Sequence, residues 1–182
     1  MVVLDTSVLL LILEPSASPP KDPSTGNPVE NASERVTFLV DTLSNDKEKI
    51  LIPTPVLSEV LVHAGRAAPR YLEILNNQAT FRISPFDQKA AIEAALEMSD
   101  AIKRGGHRVD AANQDATKTK VKFDRQIVAI AKTEGAHTIY SDDEDVCKYA
   151  RRAKINSIST HQLALPPEDL QLSINFGQPP KS

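Results

Sequence analysis

The sequence contains no tryptophan and only five phenylalanines and three tyrosines among 182 residues, so its core must be aliphatic. It has a single cysteine, Cys147, which excludes an intramolecular disulfide and suits a reducing compartment such as the cytoplasm. Residues near Cys147 offer no base of the kind that a catalytic cysteine needs. The net charge of −3 gives no general attraction to nucleic acid, so any such binding requires a local basic patch.

Long apolar runs are also missing. The first thirteen residues are the most apolar part of the chain, but Asp5 interrupts them and no basic residue precedes them, which argues against a secretory signal. The run is too short to cross a bilayer. We therefore expect a cytoplasmic protein that has no membrane partner.

Short apolar segments alternate with helical patterns along the chain. Strands are predicted at residues 2–4, 50–52, 80–84, 137–140 and 155–158, with helices between them, one of which begins at about Phe123. This alternation predicts an α/β fold of three layers, in which helices cover both faces of a parallel β-sheet. We expect one domain over residues 1–165, with a proline-rich insertion at about 15–31 and a C-terminal tail at 166–182.

Asp5 follows the first apolar strand directly. A carboxylate at the end of a buried strand is costly unless charge or hydrogen bonds stabilise it. Ligands of open α/β sheets bind at the carboxyl ends of the strands. Asp5 alone therefore fits two interpretations equally well, a cap for the helix that follows or an anchor for a cation.

Further acidic residues occupy comparable positions. Glu59 lies inside an apolar helix, Asp124 opens the helix predicted from Phe123, and Asp142, Asp143 and Asp145 follow the strand at 137–140. The ends of parallel strands share one edge of the sheet, so Asp5 and the last three should meet there. Clustered carboxylates raise one another's pKa and favour a cation between them. Oxygen ligands suit Mg²⁺ or Mn²⁺ better than zinc.

Each acid also has a structural interpretation, as a helix cap or a solvated surface charge. Four segments taken together nevertheless resemble the PIN-domain nucleases, and most closely the VapC-type toxin ribonucleases. They are residues 2–7 (VVLDTS), 54–60 (TPVLSEV), 123–131 (FDRQIVAIA) and 138–145 (TIYSDDED).

The resemblance implies a metal-dependent endoribonuclease that acts as a toxin in the cytoplasm. Its implied partners are an RNA substrate, an antitoxin protein and a second copy of the chain in a homodimer. It assigns the catalytic acids, the metal ligands and the supporting residues by position. The catalytic acids are Asp5, Glu59, Asp124 and Asp143; the metal ligands are Asp5, Asp124, Asp143 and Asp145; the supporting residues are Ser7, Ser141 and Asp142.

A local basic excess precedes Asp124. Residues 103–125 contain seven lysines and arginines against three acids, a charge that would guide a phosphate backbone to the acidic site. The candidate RNA-binding residues are Lys118, Lys120, Lys122 and Arg125. A solvated loop and helix face explains the same charges.

Two other functions remain open at this stage. A phosphoryl hydrolase with Asp5 as nucleophile, as in haloacid-dehalogenase-like enzymes, would want a second aspartate where Ser7 stands. A catalytically silent PIN-like RNA-binding or scaffold module would keep the acids for folding alone.

Overall fold

A computed structural model describes residues 1–14, 16–103 and 114–167, with the backbone alone for 114–119. Five strands form one parallel sheet: β1 (Val2–Leu4), β2 (Ile50–Pro53), β3 (Phe81–Ser84), β4 (Thr138–Tyr140) and β5 (Asn156–Ile158). Their order across the sheet is β3-β2-β1-β4-β5. The chain therefore builds outward from β1 on one side and then crosses to the other, which makes the β1/β4 boundary a topological switch point, the usual ligand position in such sheets.

Seven α-helices lie between the strands in the described part of the chain. They are α1 (Thr6–Leu13), α2 (Ala32–Asn45), α3 (Thr54–Ala64), α4 (Ala68–Asn77), α5 (Gln88–Lys103), α6 (Gln114–Thr133) and α7 (Glu144–Arg152). Helix α1 packs against α2 and α3, whereas α6 packs against α5 and α7. The predicted three-layer α/β/α arrangement is confirmed.

The central strands explain this layering. Every residue of β1, β2 and β4 is buried, as expected for strands covered by helices on both faces. The core is aliphatic, with Leu4, Leu9, Ile50, Ile130 and Ile139 among its largest fully buried side chains. A rigid core at the centre of the sheet fixes the strand ends that carry the acidic residues.

The predicted start of one helix differs from the structure. Helix α6 begins at Gln114 rather than near Phe123, so Asp124 lies inside the helix and does not open it. The sequence does not reveal this earlier start, because the residues before Phe123 are mostly polar and show only a weak hydrophobic period.

The proline-rich insertion contains no helix or strand among its described residues, apart from a single antiparallel bridge between Lys21 and Pro28.

Within the described residues, no helix combines the length and apolarity that a membrane span requires.

We expect truncation of Ile139 to alanine to lower the free energy of unfolding by about 2–5 kcal/mol, because the side chain is fully buried in the central sheet. The matched change Ile92→Ala, on an exposed position of α5, should cost less than about 1 kcal/mol. Urea denaturation of both variants checks this difference. Equal losses would contradict the assigned core.

Candidate metal centre

Asp5 and the end of β4 meet at the switch point, as the parallel-sheet argument predicted. The Oγ of Ser141 donates a hydrogen bond of 2.6 Å to Oδ2 of Asp5, and both side chains are buried. The backbone N–H of Thr6 donates to Oδ1 of Asp5 at 2.7 Å. Asp5 is therefore the N-cap of α1, and both of its oxygens already accept hydrogen bonds.

Burial nevertheless works against the ionised form of Asp5. Desolvation raises its pKa to about 6, more than the two hydrogen bonds lower it, and the charges of Asp143 and Glu59 add to the rise. A nearby cation would restore the ionised form. The cap and the acidic site are thus two properties of one residue, and the two sequence interpretations are compatible.

Asp124 projects from the interior of α6 into the same region. It is only 5% exposed, and its Oδ2 has no hydrogen-bond partner in the part of the chain described. Desolvation raises its pKa to about 7, and the charge of Asp143 contributes next. A buried carboxylate oxygen without a protein partner is rare in native structures and is normally completed by a water molecule or an ion.

Asp143 differs from its neighbour Asp142 in every contact. Asp143 caps α7, because its Oδ1 accepts from the N–H groups of Asp145 at 2.8 Å and Val146 at 3.4 Å. Its Oδ2 contacts Nζ of Lys120 at 2.8 Å. Burial alone would raise the pKa of Asp143, but the Lys120 contact and the backbone donors together hold it below the usual value.

Asp142 faces away from this region. Its two oxygens accept from the N–H and the Oγ1 of Thr160, at 2.8 and 2.6 Å, and Thr160 is fully buried. The backbone N–H of Asp142 donates to Oγ of Ser7 at 3.4 Å. Asp142 therefore supports the fold behind the site, whereas Asp143 lines the cleft.

Three of the acids form a compact group. Asp124, Asp143 and Asp145 each present a carboxylate oxygen within 4.8 Å of the others. Asp5 is not a member of that group, although it lines the same cleft. Among the residues described, this is the one such group.

The cleft that Asp124 and Asp143 line together with Asp5 has a volume of about 500 Å³ and is open to solvent. Glu59 lines it and accepts a hydrogen bond of 2.6 Å from Oγ1 of Thr6. Thr6 is not among the site residues that the sequence predicts, although its position directly after Asp5 is a signal for it. Phe123 and Val62 line the cleft too, with 38% and 81% of their surfaces exposed.

The candidate RNA-binding residues separate into different environments. Lys120 lies on the acidic group, Lys122 is exposed on α6, and Arg125 stacks 5.1 Å from the ring centre of Tyr149, away from the cleft lining. The side chain of Lys118 lies outside the described residues.

The pH dependence of stability follows from the raised pKa values. As pH rises from about 4, the unfolded chain releases the protons of Asp5 and Asp124 before the folded chain does, so both groups lower the free energy of unfolding progressively up to about pH 7. Urea denaturation in EDTA should show less of this decline in Asp124→Asn than in the wild type. Parallel pH profiles for the two proteins would contradict the assignment.

Asparagine at two positions should have opposite effects at pH 8 in EDTA. Asp124→Asn removes a buried, unpartnered charge and should raise the free energy of unfolding by on the order of 1 kcal/mol. Asp142→Asn leaves one of the two Thr160 donors without an acceptor and should lower it by about 1–3 kcal/mol. Calorimetric melting of both variants tests the pair. A loss of stability in Asp124→Asn would show that its carboxylate is satisfied in the folded protein.

The fold is similar to that of two VapBC proteins of known structure. Among solved structures, the fold is similar to VapBC2 from Rickettsia felis, bound to a DNA fragment from its promoter, with a TM-score of 0.56 and 15% identity over 87% of this chain and 98% of the other. It is similar to DNA-bound VapBC from Salmonella typhimurium, with a TM-score of 0.52 and 14% identity over 87% and 97% of the two chains. At these identities the likeness establishes the fold alone.

Curated protein sequences gave no match. The family model for the PIN domain matches residues 29–152, a range that contains Glu59, Asp124, Asp143 and Asp145. Asp5 precedes the matched range but lies beside these acids in space. The resemblance found in the sequence is confirmed, and the chain belongs to the PIN domain family.

Proposed function

We propose that this protein is a Mg²⁺- or Mn²⁺-dependent endoribonuclease that acts as the toxin of a toxin–antitoxin pair. The observation that carries the proposal is the acidic group of Asp124, Asp143 and Asp145 at the switch point, together with the unpartnered buried oxygen of Asp124. Membership of the PIN family supports a nuclease.

The donor set fits a hard divalent cation. All of the candidate ligand atoms are carboxylate oxygens, and no histidine or cysteine belongs to the group in the described residues. Mg²⁺ and Mn²⁺ prefer such ligands. Asp124, Asp143 and Asp145 would hold the cation directly, and Asp5 would add its charge from the buried wall of the cleft.

A bound cation would lower the pKa of a water molecule and stabilise negative charge on a phosphodiester. The protein's own residues would hold the carboxylates of the site in position. The Ser141 and Thr6 hydrogen bonds fix the carboxylates of Asp5 and Glu59, so these groups need no reorganisation during the reaction. Glu59, which is exposed at the cleft, would accept a hydrogen bond from the attacking water.

The cleft also suits a polynucleotide better than a small phosphate ester. It is wide and open, and Phe123 presents an exposed ring at its wall, where an unstacked base could lie. Lys122 projects from the same helix and would contact the phosphate backbone. The likeness to the VapBC structures supports an antitoxin partner as a further part of the proposal. A homodimer, which the family resemblance of the sequence implies, is proposed with it.

Incubation with a structured RNA mixture tests the activity. We expect internal cleavage with Mn²⁺, none with EDTA, and a loss of at least about a hundredfold in rate for Asp124→Asn, because that variant removes a charge needed at the reaction centre. Asp142→Asn is the matched control, because it makes the same substitution next to Asp143 but at a residue that does not line the cleft. Below its melting temperature, this variant should retain cleavage.

Other outcomes would point to the other functions. RNA binding without cleavage under any divalent metal would favour a silent scaffold module. Release of inorganic phosphate from small phosphomonoesters, with an acyl-phosphate trapped at Asp5, would favour a phosphoryl hydrolase.

A further inference from the structure

Lys120 contacts two carboxylates of the acidic group at once. Its Nζ is 2.8 Å from Oδ2 of Asp143 and 3.4 Å from Oδ2 of Asp145. Among the described residues that line the cleft, it is the one basic side chain. It precedes Asp124 by four residues on α6, so the helix places both side chains on the same face.

The atoms that Lys120 contacts are those that a metal would need. Oδ1 of Asp143 is already used by two backbone N–H groups at the start of α7, which leaves Oδ2 for a cation. That oxygen, and an oxygen of Asp145 in the same metal-compatible group, are the two that Lys120 occupies. An ammonium group and a divalent ion this close together would repel each other strongly, so they exclude one another.

The lysine can also leave without a change in the backbone. About half of its side chain is exposed, and the four-carbon stem can rotate into solvent while the helix backbone stays in place. The pKa of Lys120 is raised, chiefly by the hydrogen bond to Asp143, so the amine is charged while it occupies this position.

We propose that Lys120 is an exchangeable internal counter-ion: it neutralises Asp143 and Asp145 in the metal-free protein and is displaced when a divalent cation binds. This inference rests on the metal site of the proposed function. It gives Lys120 a different part from the static RNA contact that the sequence suggested, because the lysine becomes free for the substrate only after the metal has entered.

Titration with Mn²⁺ alone, followed by calorimetry in the absence of RNA, tests the exchange. Lys120→Met removes the competing charge and should tighten Mn²⁺ binding by about tenfold. Lys120→Gln, which keeps a polar side chain, should give a similar gain. Lys122→Met is the matched control, since it removes an equal charge two residues along the helix, and its affinity should stay within about twofold of the wild type.

Thermal melting supplies a second measurement that does not depend on activity. Metal-free Lys120→Met should melt below the wild type, because the carboxylates lose their counter-ion, and saturating Mn²⁺ should abolish the difference. The metal-induced rise in melting temperature is then larger in the variant.

The failures of the two proposals are distinguishable. If the wild type binds Mn²⁺ and Lys120→Met binds it no more tightly, the exchange is wrong while the proposed function stands. Unchanged Mn²⁺ affinity with weaker RNA binding would restore the static contact in place of the exchange. If the wild type fails to bind Mn²⁺ at millimolar concentration, both the metal site and the exchange are wrong.

Discussion

The hydrogen bond from Ser141 to Asp5 is the contact on which the site depends. It joins the ends of β1 and β4, the two strands on either side of the switch point, and it is buried at both ends. Because the central strands are fully buried, the carboxylate cannot turn to solvent to relieve its desolvation. The fold therefore holds an acid where its charge is unfavourable, and a cation is the natural means of stabilising it.

The position of the site in the fold can be predicted from the sequence, because the geometry of a parallel sheet determines it. Alternating apolar segments predict a parallel sheet, and parallel strands bring their carboxyl ends to one edge. Asp5 and the acids after β4 are therefore expected to be neighbours for any arrangement of the helices. Only the family pattern favours Asp143 over Asp142, since two adjacent acids look alike in a sequence and the structure alone shows that Thr160 contacts one of them.

The contacts of Lys120 and Thr6 could not be read in the same way. Helix α6 starts nine residues earlier than Phe123, in a stretch whose polar side chains carry no clear hydrophobic period. Without that extra length, the four-residue spacing from Lys120 to Asp124 has no geometric meaning. The hydrogen bond from Thr6 to Glu59 joins residues 53 positions apart, and only the packing of α1 against α3 brings them together.

The adjacent residues Asp142 and Asp143 have one further consequence. Asp142 and Asp143 lie between β4 and α7, and their carboxylates have different surroundings: that of Asp142 accepts hydrogen bonds from Thr160, and that of Asp143 lines the cleft. A slip of β4 by one residue against β1 would move both carboxylates from these positions, which would leave Thr160 without its acceptor and the cleft without its acid at the same time. The register of a single strand pair is thereby coupled to both folding and chemistry, so a mispaired chain would lose stability together with its site.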